Sequence, residues 1–439
     1  MSEKISVVGL GKLGLPLAAC FARRGFQTLG VDLDERVVQA VNSGRAPHFE
    51  PGLDALLAEF GGSRLRATTD HREAIVQSDV TMVLVATPSN PDGTFSNRYV
   101  EAALRSLAGA LAQSDKPYHL FVISSTVVPG STENSFIPLL EKHSGRRLNQ
   151  GFGVCYDPDF VALGEVIHGF LRPELVVIGE SDRRAGDQME AIHRKLCENE
   201  PYIARMSLIS AEVAKVSLNT YITMKISFAN TLANLCEHLP GADVDEITRA
   251  IGVDKRISPH YLQGGLSFGG TCFPRDTKAF ITISEKFGSS PELIRVVDQI
   301  NQRQDEHLTE LVLRQIGERK NATVGILGLA FKPNTTVIVE SPALKLSGEL
   351  LKRGHRVVAY DPLAAENARS VYREIEYVET VEACLGRVDL CVLTHRSQGL
   401  KTAVENYVPH RPLTVVDCWR LLDPRRLHPS IKHVALGKP

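Results

Sequence analysis

Long apolar runs are absent from this chain of 439 residues. The apolar stretches at 80–86 and 120–123, like the rest, fall far short of the ~20 residues a membrane-spanning helix needs, so no membrane partner is expected. A charge imbalance is absent too. Fifty Lys and Arg stand against 51 Asp and Glu, a net charge of −1, and nothing global points to nucleic acid. No signal-peptide core separates Met-Ser-Glu-Lys from the first strand pattern. Cysteines stand at 20, 155, 197, 236, 272, 384, 391 and 418, with no Cys-x-x-Cys and no dense framework. Reduced thiols in the cytoplasm are the economical reading. Fourteen histidines include no His-Glu-x-x-His, so no metal is expected. The single tryptophan, Trp419, follows a strand pattern and reads as packing. Apolar residues make up 43% of the chain and charged ones 23%. That balance fits a globular protein of two or three domains.

Strand and helix patterns alternate from the start. Residues 5–9 read as a strand, 13–24 as a helix and 28–32 as a strand, a βαβ unit. Strands follow at 80–86, 120–124 and 175–179, with a helix at 99–113. Near residue 205 the texture changes. Apolar residues at 213, 216, 222, 226, 229, 233 and 236 keep helical spacing. One helix of about 28 residues is expected, with Ser210 as its cap and Pro240-Gly241 as its stop. A smaller helical region runs to about 303, with glycines clustered at 264, 265, 269 and 270. Alternation returns at 323–328, 341–353, 356–361, 390–394 and 414–418. The fold class is α/β: two doubly wound Rossmann-like domains, 1–205 and 304–439, joined by a long central helix and a small helical domain, 206–303.

Gly9-Leu10-Gly11-Lys12-Leu13-Gly14 is G-x-G-x-x-G between a strand and a helix. Gly9 permits the tight turn, Gly11 the approach of a pyrophosphate, and Gly14 close packing of the helix. The helix start offers free N–H groups to phosphate. Asp32 ends the second strand, where an acid accepts from both ribose hydroxyls and disfavours a 2′-phosphate. NAD is preferred to NADP, with Arg36 nearby as the opposing feature. Gly325-Ile-Leu-Gly328-Leu-Ala330-Phe331-Lys332 also follows a strand but lacks the G-x-G opening. It lines a nucleotide site or is simply a close turn; the sequence leaves both open.

Cys272 lies in Gly264-Gly-Leu-Ser-Phe-Gly-Gly-Thr-Cys272-Phe-Pro-Arg-Asp276. Glycines admit a substrate, and a thiolate is a strong nucleophile. The ordinary reading of a cysteine as a small buried hydrophobe suits 20, 197, 236, 384, 391 and 418, and suits 272 least. Lys215 and Asn219, at i and i+4, share a helix face. Inside an apolar helix such a pair lines a polar cavity more plausibly than a solvated stripe. Lys225, ten residues on, reads as structural or peripheral.

Together these residues resemble the UDP-glucose/GDP-mannose dehydrogenases, the nucleotide-sugar 6-dehydrogenases. The likeness runs nearly end to end. It is carried by Gly9–Gly14, Ser124-Ser-Thr126-Val-Val-Pro-Gly130, Phe170-Leu-Arg-Pro173, Ala211-Glu-Val-Ala-Lys215-x-x-x-Asn219, Lys225-Ile-Ser-Phe-Ala-Asn230, the 254–257 stretch, Gly269-Gly-Thr-Cys272-Phe-Pro-Arg-Asp276 and Gly328-Leu-Ala-Phe-Lys332-Pro-Asn-Thr. The resemblance implies oxidation of a sugar CH₂OH to a carboxylate with two NAD⁺. Cys272 forms a thiohemiacetal and then a thioester. Lys215 and Asn219 stabilise the oxyanions, Asp276 works with Lys215 on protons, Thr126 positions water or cofactor, and Asp159 holds a hydrolytic water. NAD contacts fall to Gly9, Gly11, Lys12, Leu13, Gly14, Asp32, Arg36, Thr87 and Thr126. Substrate contacts fall to Lys215, Asn219, Arg256, Tyr261, Phe268, Gly269, Phe331 and Lys332. The family's long helix forms a homodimer, and the arginine matching Arg256 reaches a neighbouring subunit's substrate.

Two stretches depart from the family pattern. Pro-Glu-Phe-Leu-x-Glu-Gly becomes Pro158-Asp159-Phe160-Val-Ala-Leu163-Gly164, shortening one acid and removing the other. Glu165 follows, directed elsewhere by a helix. Asn-Thr-Asp-Asp-x-Arg-Glu-Ser-Pro becomes Asn334-Thr-Thr336-Val337-Ile-Val339-Glu340-Ser341-Pro342, without two acids and an arginine that contacts the family's cofactor. UDP-glucose and a UDP-N-acetylhexosamine stand nearly level as substrates, and the missing acid points away from an ordinary glucose enzyme. The rival readings are a single-oxidation or redox-neutral enzyme on the same scaffold and a non-catalytic nucleotide-sugar binder.

Overall fold

The structure, a computed structural model, describes residues 4–439. The chain forms two compact units that divide between Leu218 and Asn219.

The first unit is built on eight strands: β1 Lys4–Val8, β2 Gln27–Val31, β3 Leu65–Thr68, β4 Val80–Val83, β5 His119–Ile123, β6 Phe152–Tyr156, β7 Leu175–Glu180 and β8 Tyr202–Ser207. Their order is β3-β2-β1-β4-β5-β6-β7-β8. All neighbours pair in parallel except β6 and β7. Strand order reverses between β1 and β4, which opens a crevice at the carboxyl ends of the strands. Alternate residues feed two apolar layers. Ile5 and Val7 pack on one face, and Val8 on the other, as the two-residue period of a strand requires.

The second unit repeats the design with six strands: β9 Thr323–Leu327, β10 Arg356–Tyr360, β11 Glu376–Tyr377, β12 Leu390–Leu393, β13 Leu413–Asp417 and β14 Ile431–Ala435. The order is β11-β10-β9-β12-β13-β14, all parallel. Before it come the helices Val244–Gly252, Phe273–Lys286 and Glu292–Ile316. The last of these runs past residue 303.

Strands that the sequence pattern did not reveal are short, at an edge, or mixed in composition. β3 and β11 hold four and two residues. β6 is fully buried, but its glycine interrupts the apolar run. β8 is half-exposed and leads directly into the long helix Leu208–Cys236. That helix therefore starts earlier than expected, and Ser210 is not its cap. The Ser210 N–H lies 3.3 Å from the Ser207 hydroxyl, so Ser207 satisfies the open first turn. Among the described residues, no helix is long and apolar enough to cross a membrane.

Candidate active site

In the first unit the Gly9–Gly14 turn stands at the crevice. Gly9 has φ 96° and donates to the Val31 carbonyl at 2.8 Å. A methyl at Gly14 would overlap the Gly9 carbonyl oxygen, whereas Gly11 faces open space. The helix Gly14–Arg23 begins there with no side-chain cap. Leu15 and Leu17 donate to the Gly11 and Leu13 carbonyls and Pro16 has no N–H, so an anion would meet the amides of the turn that leads into the helix. Asp32 accepts from Leu10 N at 2.8 Å and from Asp34 N at 2.9 Å, one bond to each oxygen. A carboxylate has about four acceptor positions, so two remain for ribose hydroxyls. This cradle fits a dinucleotide. Lys12 is exposed, Leu13 half-buried and Thr87 buried. Arg36 turns to Asp34, at 2.7 Å, rather than to Asp32.

The corresponding turn of the second unit is filled from within. Gly328, φ 108°, donates to the Tyr360 carbonyl at 2.9 Å. Asp361 accepts four backbone amides, Leu329, Ala330, Leu363 and Ala364, at 2.7–3.1 Å. The His395 ring occupies the space a methyl at Gly328 would need and bonds the Ala330 carbonyl at 2.9 Å. The segment is a close turn whose amides at 328–330 are bonded within the fold. Trp419 packs against Gly265, donates to the Thr394 carbonyl at 2.7 Å, and carries the Arg396 guanidinium on its face.

The long helix carries a buried polar row of Glu212, Lys215, Asn219, Thr223 and Ser227. Within the first unit, Glu212 accepts from Gly130 N, Thr132 N and Thr132 Oγ1 at 2.5–2.9 Å. It thereby ties the helix to the loop that carries half-buried Thr126. Burial raises the Glu212 pKa, against the pull of these donors. Lys215 donates to the Asp159 carbonyl oxygen. Its ammonium lies 4.0 Å from the Asp159 carboxylate and 5.1 Å from the centre of the Phe160 ring. Glu165 is exposed and directly precedes the helix Val166–Leu171.

Within the second unit, Asn219 Nδ2 donates to Asp276 Oδ2 at 2.6 Å, and Arg275 lies 3.1 Å from the other oxygen. Asp276 is fully buried in the first turn of the helix Phe273–Lys286. Cys272 immediately precedes that helix and is exposed, whereas the other seven cysteines are buried. The glycines in front of it are sterically required. A methyl at Gly269 would overlap the Glu340 carbonyl, and Gly270, φ 82°, lies against the half-buried Phe331 ring. Gly270 N donates to Val339 O at 2.9 Å, so the departing stretch 334–342 directly braces the cysteine loop. Phe268 and Tyr261 each set an edge against Phe273. Lys332 is half-buried. Arg256 is exposed and pairs with Asp254 at 2.6 Å. Lys225 is more than peripheral: it donates to the Ile257 and Ser258 carbonyls at 3.0 and 3.1 Å, fixing the loop that carries Arg256.

Residues 3–197 match the NAD-binding domain of the UDP-glucose/GDP-mannose dehydrogenases, 209–303 match the central domain, and 325–424 match the UDP-binding domain. The chain belongs to this family. As a member it is an NAD-dependent nucleotide-sugar dehydrogenase. It is 36% identical to UDP-glucose 6-dehydrogenase AglM of Haloferax volcanii, over 96% of this chain and 98% of that one. It is 34% identical to a GDP-mannose 6-dehydrogenase of Pseudomonas putida, over 91% and 92%. A solved UDP-glucose dehydrogenase from Pyrobaculum islandicum superposes with a TM-score of 0.90 at 32% identity, covering 99% of this chain and 98% of that one.

Proposed function

We propose that this dehydrogenase oxidises the C6 hydroxymethyl of a UDP-hexose to a carboxylate, with Cys272 as the covalent nucleophile. The observation that carries this reading is the exposure of Cys272 alone among eight cysteines, on a loop whose glycines leave no room for side chains. NAD⁺, when bound, accepts the hydride released at each oxidation. Gly9–Gly14, Asp32, Arg36, Thr87 and Thr126 serve its binding.

The first oxidation leaves an aldehyde. Cys272 Sγ adds to its carbon, a C–S bond forms, and the oxygen takes a proton. Loss of hydride from that carbon and of the proton from its oxygen leaves a thioester. Water adds, the C–S bond breaks, and the sulfur leaves. One alcohol and one water thus become one carboxylate and three protons, with two hydrides removed. Asn219 has one amide proton on Asp276 and a second available for the oxyanion. Lys215 supplies positive charge to the same oxygen, and Asp159 holds the water. Arg256, Tyr261, Phe268, Gly269, Phe331 and Lys332 serve substrate binding. Likeness to a UDP-glucose 6-dehydrogenase over almost the whole chain supports a UDP-hexose.

The homodimer belongs to this reading. Ile209, Val213, Tyr221, Phe228 and Leu235 stand on the long helix with exposures between 41% and 55%. Their spacings of four, eight, seven and seven residues keep them on one stripe, and an apolar stripe of this kind marks an interaction surface. Eight unpaired cysteines support a cytoplasmic setting.

The test is NADH formed per sugar consumed, across UDP- and GDP-hexoses and their N-acetyl forms. Two NADH and a uronic acid from a UDP-hexose are expected, and Cys272→Ala should abolish the acid. One NADH per sugar, or acid at the parent rate from Cys272→Ala, would overturn the mechanism. For the dimer, Tyr221→Asp with Phe228→Asp should give a monomer by analytical ultracentrifugation.

A further inference from the structure

Residues 158–165 leave the end of β6, form neither helix nor strand, and carry Asp159 to Lys215. A stretch without its own hydrogen-bond ladder is held only by what grips it. Here the start follows Asp157, which is itself anchored through its backbone and its buried carboxylate, and the far end is gripped by a buried carboxylate from elsewhere in the chain. At the start, Asp157 N donates to the Ile123 carbonyl at 2.9 Å. The Asp157 carboxylate lies 2.8 Å from His193 Nε2, on the helix Arg183–Leu196, with side-chain exposures of 6% and 12%. At the far end Glu50, also buried, accepts Gly164 N at 2.9 Å on one oxygen and Val166 N at 2.8 Å on the other. Gly164 has φ 86°, so the chain turns there in a conformation open to glycine. A glutamine at position 50 would offer one acceptor oxygen and turn an NH₂ toward the second amide. The two-point grip therefore depends on the carboxylate.

We propose that Glu50 and the Asp157–His193 pair are positioning residues for the oxidation, clamping 158–165 at both ends so that Asp159 stays registered on Lys215; this rests on the roles given above to those two residues. The step most exposed to a loosened clamp is the last, in which water attacks the thioester carbon. A displacement of about 1 Å in a positioned group can lower a rate on the order of a hundredfold. The Gly9–Gly14 turn lies outside this segment.

The test uses full-length protein with Glu50→Gln and, separately, His193→Gln. Steady-state acid formation, the first-turnover NADH burst, the intact mass of the protein during turnover, the NAD dissociation constant and the melting temperature are measured. Expected for both variants are a burst near that of the parent, acid formation slowed about tenfold or more, a mass increase equal to the acyl group on Cys272, and NAD affinity within about twofold of the parent. Parent rates in both variants would overturn the clamp. So would a slowing that tracks the melting temperature without build-up of the acyl form. If either variant fails to fold, the other decides. Asp159→Asn separates the two levels. Acyl build-up in Asp159→Asn but in neither clamp variant rejects the clamp alone. No covalent form in any variant, Asp159→Asn included, rejects the role of Asp159 on which the clamp depends.

Discussion

In the first sheet Gly9 donates to the carbonyl that ends β2, and Leu10 donates to Asp32. In the second, Gly328 donates to the carbonyl that ends β10, and Leu329 donates to Asp361. The backbone device is the same; what differs is how much of it is left over. Asp32 keeps two acceptor positions and Gly11 keeps open space. Asp361 is saturated by four amides, and His395 fills the turn. A Rossmann turn thus becomes a dinucleotide site only where the fold leaves its polar groups unspent. A degenerate glycine pattern does not tell the two cases apart.

The strongest way to break this comparison is Gly14→Ala. The new methyl meets a backbone carbonyl, so the turn must open. NAD affinity should fall more than about a hundredfold, that is by more than about 2.7 kcal/mol, while UDP binding persists. Calorimetric titration of each ligand checks both. NAD affinity within threefold of the parent would sink the account of the turn. Next, Asp361→Ala strands four amides and should cost roughly 3 kcal/mol of unfolding free energy, read from urea melts, with NAD affinity unchanged. In Asp32→Asn the effect reverses in kind. Stability falls by about 1 kcal/mol, because an NH₂ now faces one of the two amides that the carboxylate accepted. NAD binds about tenfold more weakly for the loss of a charge-assisted bond, and discrimination against NADP narrows.

The smallest effect is a pair of opposite pH slopes. Burial pushes the His193 pKa down, but the Asp157 charge, the hydrogen bond to it and the neighbouring Cys197 together more than compensate, and the net value is about 10. Raised above the unfolded value near 6.5, His193 contributes stability that is complete below that pH and is lost as pH rises toward 10. His395 is lowered by burial, despite the Ala330 carbonyl and Asp361. Its contribution is complete above about 6.5 and is lost as pH falls below it. His193→Gln should flatten the alkaline limb of the stability profile and His395→Gln the acid limb. Denaturation midpoints from pH 5 to 10 would expose an error in either sign.

Much of the frame was legible because its signals are local. The turn at Gly9–Gly14, the central buried strands, the long helix and the glycines before Cys272 each declare themselves within a few residues. What escaped depends on partners far apart in the chain. Glu50 meets Gly164 across 114 residues, Asn219 meets Asp276 across 57, and Asp157 meets His193 across 36. No periodicity or spacing encodes such pairs. The helix cap moved from Ser210 to Ser207 because β8 feeds the helix without a loop, and a half-exposed edge strand has a weak pattern of its own. Glu212 stood in plain sight beside Lys215, but its grip on the loop after β5 appears only in three dimensions.

The uneven burial of the eight cysteines has a practical side. A thiol reagent added to the native protein finds one accessible sulfur, and the same reagent in denaturant finds eight. Alkylation of the folded chain is thus expected to label a single position. The mass of one adduct then counts the folded molecules in any preparation, and under the proposed role of Cys272 protection from labelling by a bound sugar nucleotide reports occupancy of that loop without any turnover.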